Sequence, residues 1–262
     1  MYFIRTIVRL SHLVIHIGAG LLQVAYARFT YGPQWYETGW GIAAERRWMQ
    51  RACRILAVRI KTCGMVSAVR GTLFVANHIS WLDIITLASV IETRFLAKDN
   101  VRSWPLIGAL TASVGSLFIV RGRYFVIKKV AAEIKHTLNR GRSVLIFPEG
   151  TTTDGRTIGR FHSGLFKAVS EDDHFVQPIA LSYFRAGRPD PHAPYIGSDT
   201  FLAHLFRIAS QEVTDVTISF TPPIYTAPLM RNAIADLAQA QIRNARGEQA
   251  AMPVQAAAGL VA

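Results

Sequence analysis

The stretch that decides the fold is TLFVANHISWLD, residues 72–83. Residues 72–76 form a short, largely apolar run, which is typical of a buried β-strand. Residues 82–91 form a second apolar run of helical length, and Asp83 lies in its first turn, where acidic residues are favoured. The stretch therefore predicts a strand, a turn that carries His78, and a helix that begins near Asp83.

The chain after residue 64 repeats this alternation of strand-like and helical runs. Further predicted strands cover residues 94–97, 116–120, 143–147, 176–182 and 215–220, and further predicted helices cover residues 104–112, 124–139, 163–170, 200–210 and 229–245. Short strands that alternate with helices predict an α/β fold, here a mixed, largely parallel sheet flanked by helices.

Polar residues follow three of the predicted strands at the point where each strand ends. His78 and Arg121 each come after one strand, and FPEGT, residues 147–151, begins at the last residue of another. Ligands of open α/β sheets bind beyond the carboxyl ends of the strands. We therefore expect these three groups to converge on one site.

His78 and Asp83 have the side chains needed to activate a hydroxyl group. A hydroxyl loses its proton far above neutral pH, so its use as a nucleophile needs a base near pH 7, and histidine is suitable. Asp83 can accept a hydrogen bond from the other ring nitrogen. On a continuous helix the two side chains would point about 140° apart, so the pair requires His78 to lie in the turn. The alternative, from this motif alone, is a helix-capping aspartate and an unrelated histidine.

Arg121 and the FPEGT segment have groups that bind anions. An arginine can hold phosphate with two hydrogen bonds, although a solvated arginine at a strand end fits the pattern equally well. Gly150 and Thr151 can bring backbone amides close to an anion. Glu149 can bond a substrate hydroxyl or brace the loop, and the motif leaves both alternatives open.

Several other kinds of site have no motif in this sequence. There is no G-x-S-x-G elbow, no Walker A loop and no G-x-G-x-x-G fingerprint. Cys53 and Cys63 form neither a CxxC motif nor a disulfide framework. His12 and His16 have helical spacing but no evident third metal ligand. The sequence therefore predicts no metal and no organic cofactor, and direct transfer between two bound substrates is the simplest chemistry.

The composition favours a membrane as the partner. Half of the 262 residues are hydrophobic, and 29 basic against 17 acidic residues give a net charge of +12. Such a charge favours anionic partners, and together with this hydropathy it favours a membrane over nucleic acid. Residues 10–27 carry no charged side chain and are bracketed by Arg9 and Arg28. A cleaved signal peptide, a spanning helix and a re-entrant or interfacial helix are the alternatives.

The next segment, residues 45–60, has the pattern of a basic amphipathic helix. Arg47, Arg51 and Arg54 recur at helical spacing, and Trp48 lies on another face. This pattern suits an anionic headgroup layer, with a solvated surface helix as the alternative.

We therefore predict three parts of the chain. Residues 1–63 form an N-terminal membrane-associated helical segment, residues 64–246 form an α/β domain, and the Ala- and Gln-rich residues 247–262 form a disordered tail. The basic residues that flank the apolar stretch predict that the domain lies on the cytoplasmic face of the inner (plasma) membrane.

These motifs, in this order, resemble the glycerolipid acyltransferase family, typified by 1-acyl-glycerol-3-phosphate acyltransferases. The resemblance covers about residues 70–185. The matching positions are Asn77, His78, Ser80 and Asp83 in the first block, Gly115, Phe118, Ile119 and Arg121 in the second, residues 147–151 in the third, and Val176, Pro178 and Ile179 in the fourth. Lys98 resembles a lysine that often follows the second strand.

The resemblance implies a lysolipid O-acyltransferase of membrane lipid biosynthesis, in which His78 and Asp83 are catalytic. The substrate-binding residues that it implies are Arg121, Glu149, Gly150, Thr151 and Lys98. The acyl donor is then acyl carrier protein (acyl-ACP) or coenzyme A (acyl-CoA) thioester, and the acceptor is the free hydroxyl of a 1-acyl-sn-glycerol-3-phosphate-type lysolipid. The implied partners are the lipid bilayer, the donor and the lysolipid, with no metal, cofactor or nucleic acid.

Departures from the family pattern bear on the acceptor. Val120 stands where an acidic residue often precedes the arginine, Thr152 begins a Thr-Thr pair in place of Arg-Ser, and His162 replaces a common lysine. The string FPEGTTTDG, residues 147–155, looks more like lyso-ornithine lipid O-acyltransferases. A lyso-ornithine lipid O-acyltransferase with the same chemistry is therefore one alternative, and a non-catalytic membrane lipid-binding module is an alternative of another class.

Overall fold

The computed structural model describes residues 2–98, 117–119 and 124–251. Its helices are α1 (Tyr2–Tyr31), α2 (Gly39–Ile55), α3 (Leu82–Val90), α4 (Tyr124–Asn139), α5 (Phe201–Ser210) and α6 (Arg231–Ala251). Its strands are β1 (Val58–Cys63), β2 (Leu73–Ala76), β3 (Arg94–Lys98), β4 (Leu117–Ile119), β5 (Val144–Ile146), β6 (Phe175–Arg185), β7 (Arg188–Pro189), β8 (Thr214–Phe220) and β9 (Ile224–Tyr225).

The described strands form a mixed sheet in the order β1-β8-β6-β2-β5-β3-β4, with β7 and β9 paired to β6. The five strands from β6 to β4 in this order are parallel to one another. β8 runs antiparallel to β6, and β1 runs parallel to β8. The predicted α/β fold with a mixed, largely parallel sheet is therefore confirmed.

The central strands are apolar because helices cover both faces of the sheet. β2 and β5 are buried along their whole lengths. Side chains of α2, α3 and α5 belong to the core on one face, and side chains of α4 and α6 belong to the core on the other. Strands covered on both faces have continuous apolar runs rather than alternating ones. This is why β2 and β5 could be recognised from sequence.

The prediction of one basic helix over residues 45–60 is wrong at its C-terminal end. α2 ends at Ile55, Ala57 adopts a φ of +52°, and the chain enters β1 at Val58. β1 pairs with β8, with Val58 opposite Thr214. The β-branched side chains of β1 favour a strand, and pairing with a distant strand outweighs the local helical pattern.

Two other predicted helices have different bounds. Residues 163–170 contain only a short 3₁₀ turn, Leu165–Ala168. α6 continues to Ala251, into the segment predicted to be a disordered tail, because its Ala, Gln, Arg and Glu residues are strong helix formers. The predicted helix over residues 104–112 lies outside the described residues, and the predicted domain boundaries stay predictions.

α1 is fixed to the rest of the protein along one side. Arg9 donates hydrogen bonds to the carbonyl oxygens of Ala209 (3.1 Å) and Glu212 (3.0 Å), at and beyond the end of α5. The His16 ring stacks on Trp48 of α2, with 4.5 Å between ring centroids, and the Trp48 indole N–H donates to the His16 carbonyl. These contacts hold α1 against α2 and α5.

The other side of α1 exposes a long apolar surface. Within the described part of the chain, α1 is the helix that is long and apolar enough to cross a membrane. Val14 and Leu22, for example, are 70% and 74% exposed. Because a large exposed apolar surface is unfavourable in water, this helix indicates that the chain associates with a membrane.

Replacing both Val14 and Leu22 with Glu is expected to weaken binding to lipid vesicles. Burial of one aliphatic side chain contributes about 1.5–3 kcal/mol, so losing two lowers the partition coefficient by at least about 100-fold. Co-sedimentation with vesicles that contain phosphatidylglycerol measures the effect. The matched control carries Glu in place of Val69 and Leu237, which lie outside α1 and are 45% and 44% exposed. This control should bind vesicles as the wild-type protein does. Equal binding by all three proteins would show that α1 is not the anchor.

Candidate active site

The carboxyl ends of β2 and β5 bring the two main motifs together. The strands are parallel neighbours, with Val75 opposite Ile146. His78 follows β2, Glu149 follows β5, and the His78 backbone N–H donates to Glu149 Oε1 at 2.8 Å. The predicted convergence of these two segments is therefore seen in the structure.

The His78 ring is bound to the Asp83 carboxylate. Nδ1 of His78 lies 2.8 Å from Oδ2 of Asp83, which also accepts the backbone N–H groups of Ile79 (2.7 Å) and Ser80 (3.0 Å). The turn before α3 allows this contact, as the sequence required. Asp83 is fully buried, so the alternative of a capping aspartate unrelated to His78 does not describe the structure.

This contact sets the tautomer of the histidine. A carboxylate can only accept, so Nδ1 carries a proton, and in that tautomer Nε2 is the ring nitrogen that can accept one. The ring stacks on Phe147, with 4.0 Å between centroids, while 17% of the His78 side chain remains exposed. The arrangement gives an oriented, partly accessible base at the carboxyl edge of the sheet.

Tyr183, on β6, completes the environment of Asp83 and was missed in the sequence. Its hydroxyl donates to Asp83 Oδ1 at 2.7 Å. Burial, and then the nearby Asp83 carboxylate, raise the pKa of the Tyr183 phenol well above its usual value. No local pattern distinguishes this tyrosine from the other core residues of β6, so no sequence signal for it was available.

Glu149 braces the loop that follows β5. Its Oε1 accepts from His78, and its Oε2 accepts the Gly159 backbone N–H at 2.7 Å. A Cβ atom at position 159 would lie 2.9 Å from Oε2, so glycine allows the close approach of this backbone to the carboxylate. Burial raises the pKa of the Glu149 carboxyl, and the two amide hydrogen bonds oppose that effect. The geometry favours the bracing interpretation, and a Glu149 contact to substrate stays a prediction.

Three side chains of α6 hold the same loop from its other side. Gln239, Arg243 and Arg246 donate to the carbonyl oxygens of Gly159, Ile158 and Gly155, respectively. Arg246 also donates to Ser182 Oγ at 3.3 Å, and burial lowers the pKa of its guanidinium. The helix predicted over residues 229–245 contained Gln239 and Arg243 but not Arg246, and the sequence could not indicate which loop that helix would contact.

The threonines that replace a family Arg-Ser pair also have structural contacts. The Thr153 backbone N–H donates to the His78 carbonyl at 2.8 Å, and the Thr152 hydroxyl donates to the Tyr195 carbonyl. The Tyr195 backbone N–H in turn donates to the Ile79 carbonyl at 2.9 Å. The loop after β5 is therefore hydrogen-bonded directly to the backbone of His78 and, through Tyr195, to the backbone of Ile79.

The structure describes the other predicted binding residues only in part. Gly150 adopts a φ of +68°, a conformation that favours glycine, and Thr151 is exposed beside it. Lys98 is the last residue of β3, the neighbour of β5 in the sheet. Arg121 lies outside the described residues. Within the described ranges, no group of three or more His, Cys, Asp and Glu side chains is placed to hold a metal.

Comparison with known proteins gives a consistent set of relatives. The family model described as Acyltransferase matches residues 58–182. Lyso-ornithine lipid O-acyltransferase of Pseudomonas aeruginosa is 40% identical over 198 residues, which are 76% of this chain and 76% of that protein. The 1-acyl-sn-glycerol-3-phosphate acyltransferase of Neisseria gonorrhoeae is 32% identical over 153 residues, which are 57% of this chain and 59% of that protein.

A solved structure shares the fold. The crystal structure of the 1-acyl-sn-glycerophosphate (LPA) acyltransferase PlsC from Thermotoga maritima matches with a TM-score of 0.63 and 16% sequence identity. The match covers 93% of this chain and 95% of that one. At this identity the likeness shows the fold.

Glu149→Gln is expected to destabilise the protein by about 1–3 kcal/mol, because an amide NH₂ would face a backbone N–H and leave it unsatisfied. The free energy of unfolding in detergent measures the change. Glu212→Gln is the matched control, since its side chain is 86% exposed, and it should leave stability unchanged. Equal stability of the two variants would show that Glu149 does not brace the loop.

Proposed function

The chain belongs to the acyltransferase family, and we propose that it transfers a fatty acyl group from a thioester to the free hydroxyl of a lysolipid. The observation that carries this proposal is the 2.8 Å contact between His78 Nδ1 and Asp83 Oδ2 at the carboxyl edge of the sheet. Membership in a family of enzymes favours catalysis over the alternative of a lipid-binding module.

The proposed reaction is direct transfer with His78 as general base. Nε2 accepts the proton of the lysolipid hydroxyl as its oxygen attacks the thioester carbonyl carbon. The carbon–sulfur bond then breaks, and the thiol leaves with the proton returned by the imidazolium. Asp83 holds Nδ1 and stabilises the positive charge that forms on the ring. No enzyme-bound acyl intermediate is needed.

The donor is proposed to be acyl-ACP or acyl-CoA. The net charge of +12 suits both the acidic surface of a carrier protein and the phosphates of coenzyme A. Transfer from either donor requires no metal and no organic cofactor.

The acceptor that we propose is lyso-ornithine lipid. The Pseudomonas aeruginosa relative named for this substrate is 40% identical across 76% of the chain, whereas the Neisseria gonorrhoeae relative named for 1-acyl-sn-glycerol-3-phosphate is 32% identical across 57%. Thr152 and His162 stand where cations are common, and a zwitterionic headgroup needs fewer cations than a phosphate monoester. A 1-acyl-sn-glycerol-3-phosphate acceptor is the second candidate, with Arg121, Lys98, Gly150 and Thr151 as its proposed phosphate-binding residues.

We further propose that the protein sits on the cytoplasmic face of the membrane. Arg47, Arg51 and Arg54 are exposed on α2, beside the apolar surface of α1. A groove of about 470 Å³ between these helices is lined on α1 by two apolar residues and two histidines, and on α2 by Arg51, Arg54 and Ile55. Basic residues next to an apolar helix favour the anionic cytoplasmic leaflet.

His78→Ala is expected to lower kcat by about 10²–10⁴, the range typical of general acid–base catalysis, with the fold intact. Transfer of a labelled acyl group from acyl-ACP to lyso-ornithine lipid measures turnover, and circular dichroism checks the fold. His136→Ala, on an exposed face of α4, is the matched control and should retain full activity. A folded His78→Ala protein with half of the wild-type kcat would refute the mechanism.

Competition between the two lysolipids tests which of them is the preferred acyl acceptor. With lyso-ornithine lipid and 1-acyl-sn-glycerol-3-phosphate at equal concentration and one labelled donor, we expect acylated ornithine lipid to predominate. The product ratio equals the ratio of kcat/KM values and needs no separate kinetics. Exclusive acylation of 1-acyl-sn-glycerol-3-phosphate would refute the proposed acceptor while leaving the acyltransferase chemistry intact.

A further inference from the structure

Two buried polar groups, Tyr183 and Asp83, form a continuous hydrogen-bonded row with the partly exposed His78 ring. The Tyr183 hydroxyl donates to Asp83 Oδ1 at 2.7 Å, and Asp83 Oδ2 lies 2.8 Å from His78 Nδ1. Tyr183 is 5% exposed and Asp83 is fully buried. The row begins on β6, passes through the first turn of α3 and ends in the turn after β2.

The hydrogen bonds of this row restrict the orientation of the Asp83 carboxylate. The torsion that turns a carboxylate about its bond to Cβ is broad rather than confined to sharp wells. Oδ2 is engaged by His78 and by the amides of Ile79 and Ser80, all from the same short turn. Tyr183 donates from a different element, behind the carboxylate, and so fixes the oxygen that the turn does not hold.

We propose that Tyr183 is a positioning residue of the acyl transfer: its hydroxyl fixes the Asp83 carboxylate so that Oδ2 holds His78 Nδ1 and Nε2 faces the acceptor. This inference rests on the proposed role of His78 as the general base. Tyr183 touches no substrate, and it acts through Asp83 alone.

The hydroxyl also limits the negative charge that Asp83 presents to the ring. Among the described residues, the other titratable groups that interact with the row include Glu149 from the loop after β5 and Cys53 from α2. Arg246 from α6 lies beyond Glu149 and interacts with it. Burial raises the pKa of the Cys53 thiol to about 11 and raises that of the Tyr183 phenol as well. Both groups therefore stay protonated at neutral pH, and the Tyr183 hydroxyl remains a donor.

Removal of the hydroxyl is expected to change turnover rather than substrate affinity. Tyr183→Phe keeps the ring in the core and deletes the donor. We expect kcat to fall about tenfold, within the effect of one lost hydrogen bond to a charged group, while both KM values stay within about twofold of wild type. Tyr225→Phe makes the same change at a half-exposed site on β9 and should leave kcat unchanged.

Titration of the His78 ring supplies a readout that a loss of packing would not move. The loss of one donor leaves Asp83 with more charge to stabilise the imidazolium, so the midpoint of the His78 titration should rise by about 0.5–1 pH unit. NMR of protein labelled with ¹⁵N-histidine measures it, with His78→Ala to assign the signal. Because this measurement needs no turnover, it decides the role of Tyr183 even if the wild-type protein transfers no acyl group, an outcome that would refute the proposed function.

A second replacement covers the case in which Tyr183→Phe does not fold. Incorporation of 3-fluorotyrosine at position 183 keeps the ring and hydroxyl and makes the hydroxyl a stronger donor, so the His78 midpoint should move downward. A fall in kcat with an unchanged His78 midpoint would overturn the proposal, since the effect would then be on packing alone. Unchanged kcat and midpoint in both variants would overturn it as well.

Discussion

The site depends on keeping one carboxylate, Asp83, ionised where no water reaches it. A buried charge without partners is very unfavourable, and such a group is neutralised or surrounded by donors. Asp83 has donors from the turn after β2 and from β6. Those elements must therefore lie at fixed distances from the start of α3, so the requirement that keeps Asp83 charged also orients His78.

A second buried carboxylate, Glu149, holds the backbone of His78, whereas Asp83 holds its side chain. Glu149 accepts the His78 amide with one oxygen and the Gly159 amide with the other. It thereby joins the turn after β2 to the loop after β5, and α6 fixes the far side of that loop. The two carboxylates therefore have different roles. Asp83 sets the orientation of the imidazole ring, and Glu149 sets the position of the His78 backbone.

The site is also linked to α1 through a chain of side-chain contacts. Trp81, in the turn of His78, donates to Nδ1 of His204 on α5 at 2.9 Å, and its ring packs edge-on against Phe201. Burial lowers the pKa of His204, which favours the neutral ring that can accept this bond. α5 in turn is held against α1 by Arg9. The proposed base, His78, is therefore one helix away from the exposed apolar surface of α1.

The sequence by itself determined the features that depend on neighbouring residues. Apolar runs followed by His78 and by FPEGT gave the strands, the turns and the edge of the sheet where the site lies, and the uncharged N-terminal stretch gave α1. It failed where a distant partner decides the outcome. Residues 58–60, the first half of β1, were assigned to a helix because their pairing with β8 has no local signal. Tyr183 and Gly159 could not be recognised as partners of Asp83 and Glu149. The roles of Arg121 and Lys98 stay predictions from motif alone. Only the tertiary structure decided which donors surround each buried carboxylate, because strand order and register bring residues far apart in the chain within hydrogen-bond distance, and local periodicity carries no information about either.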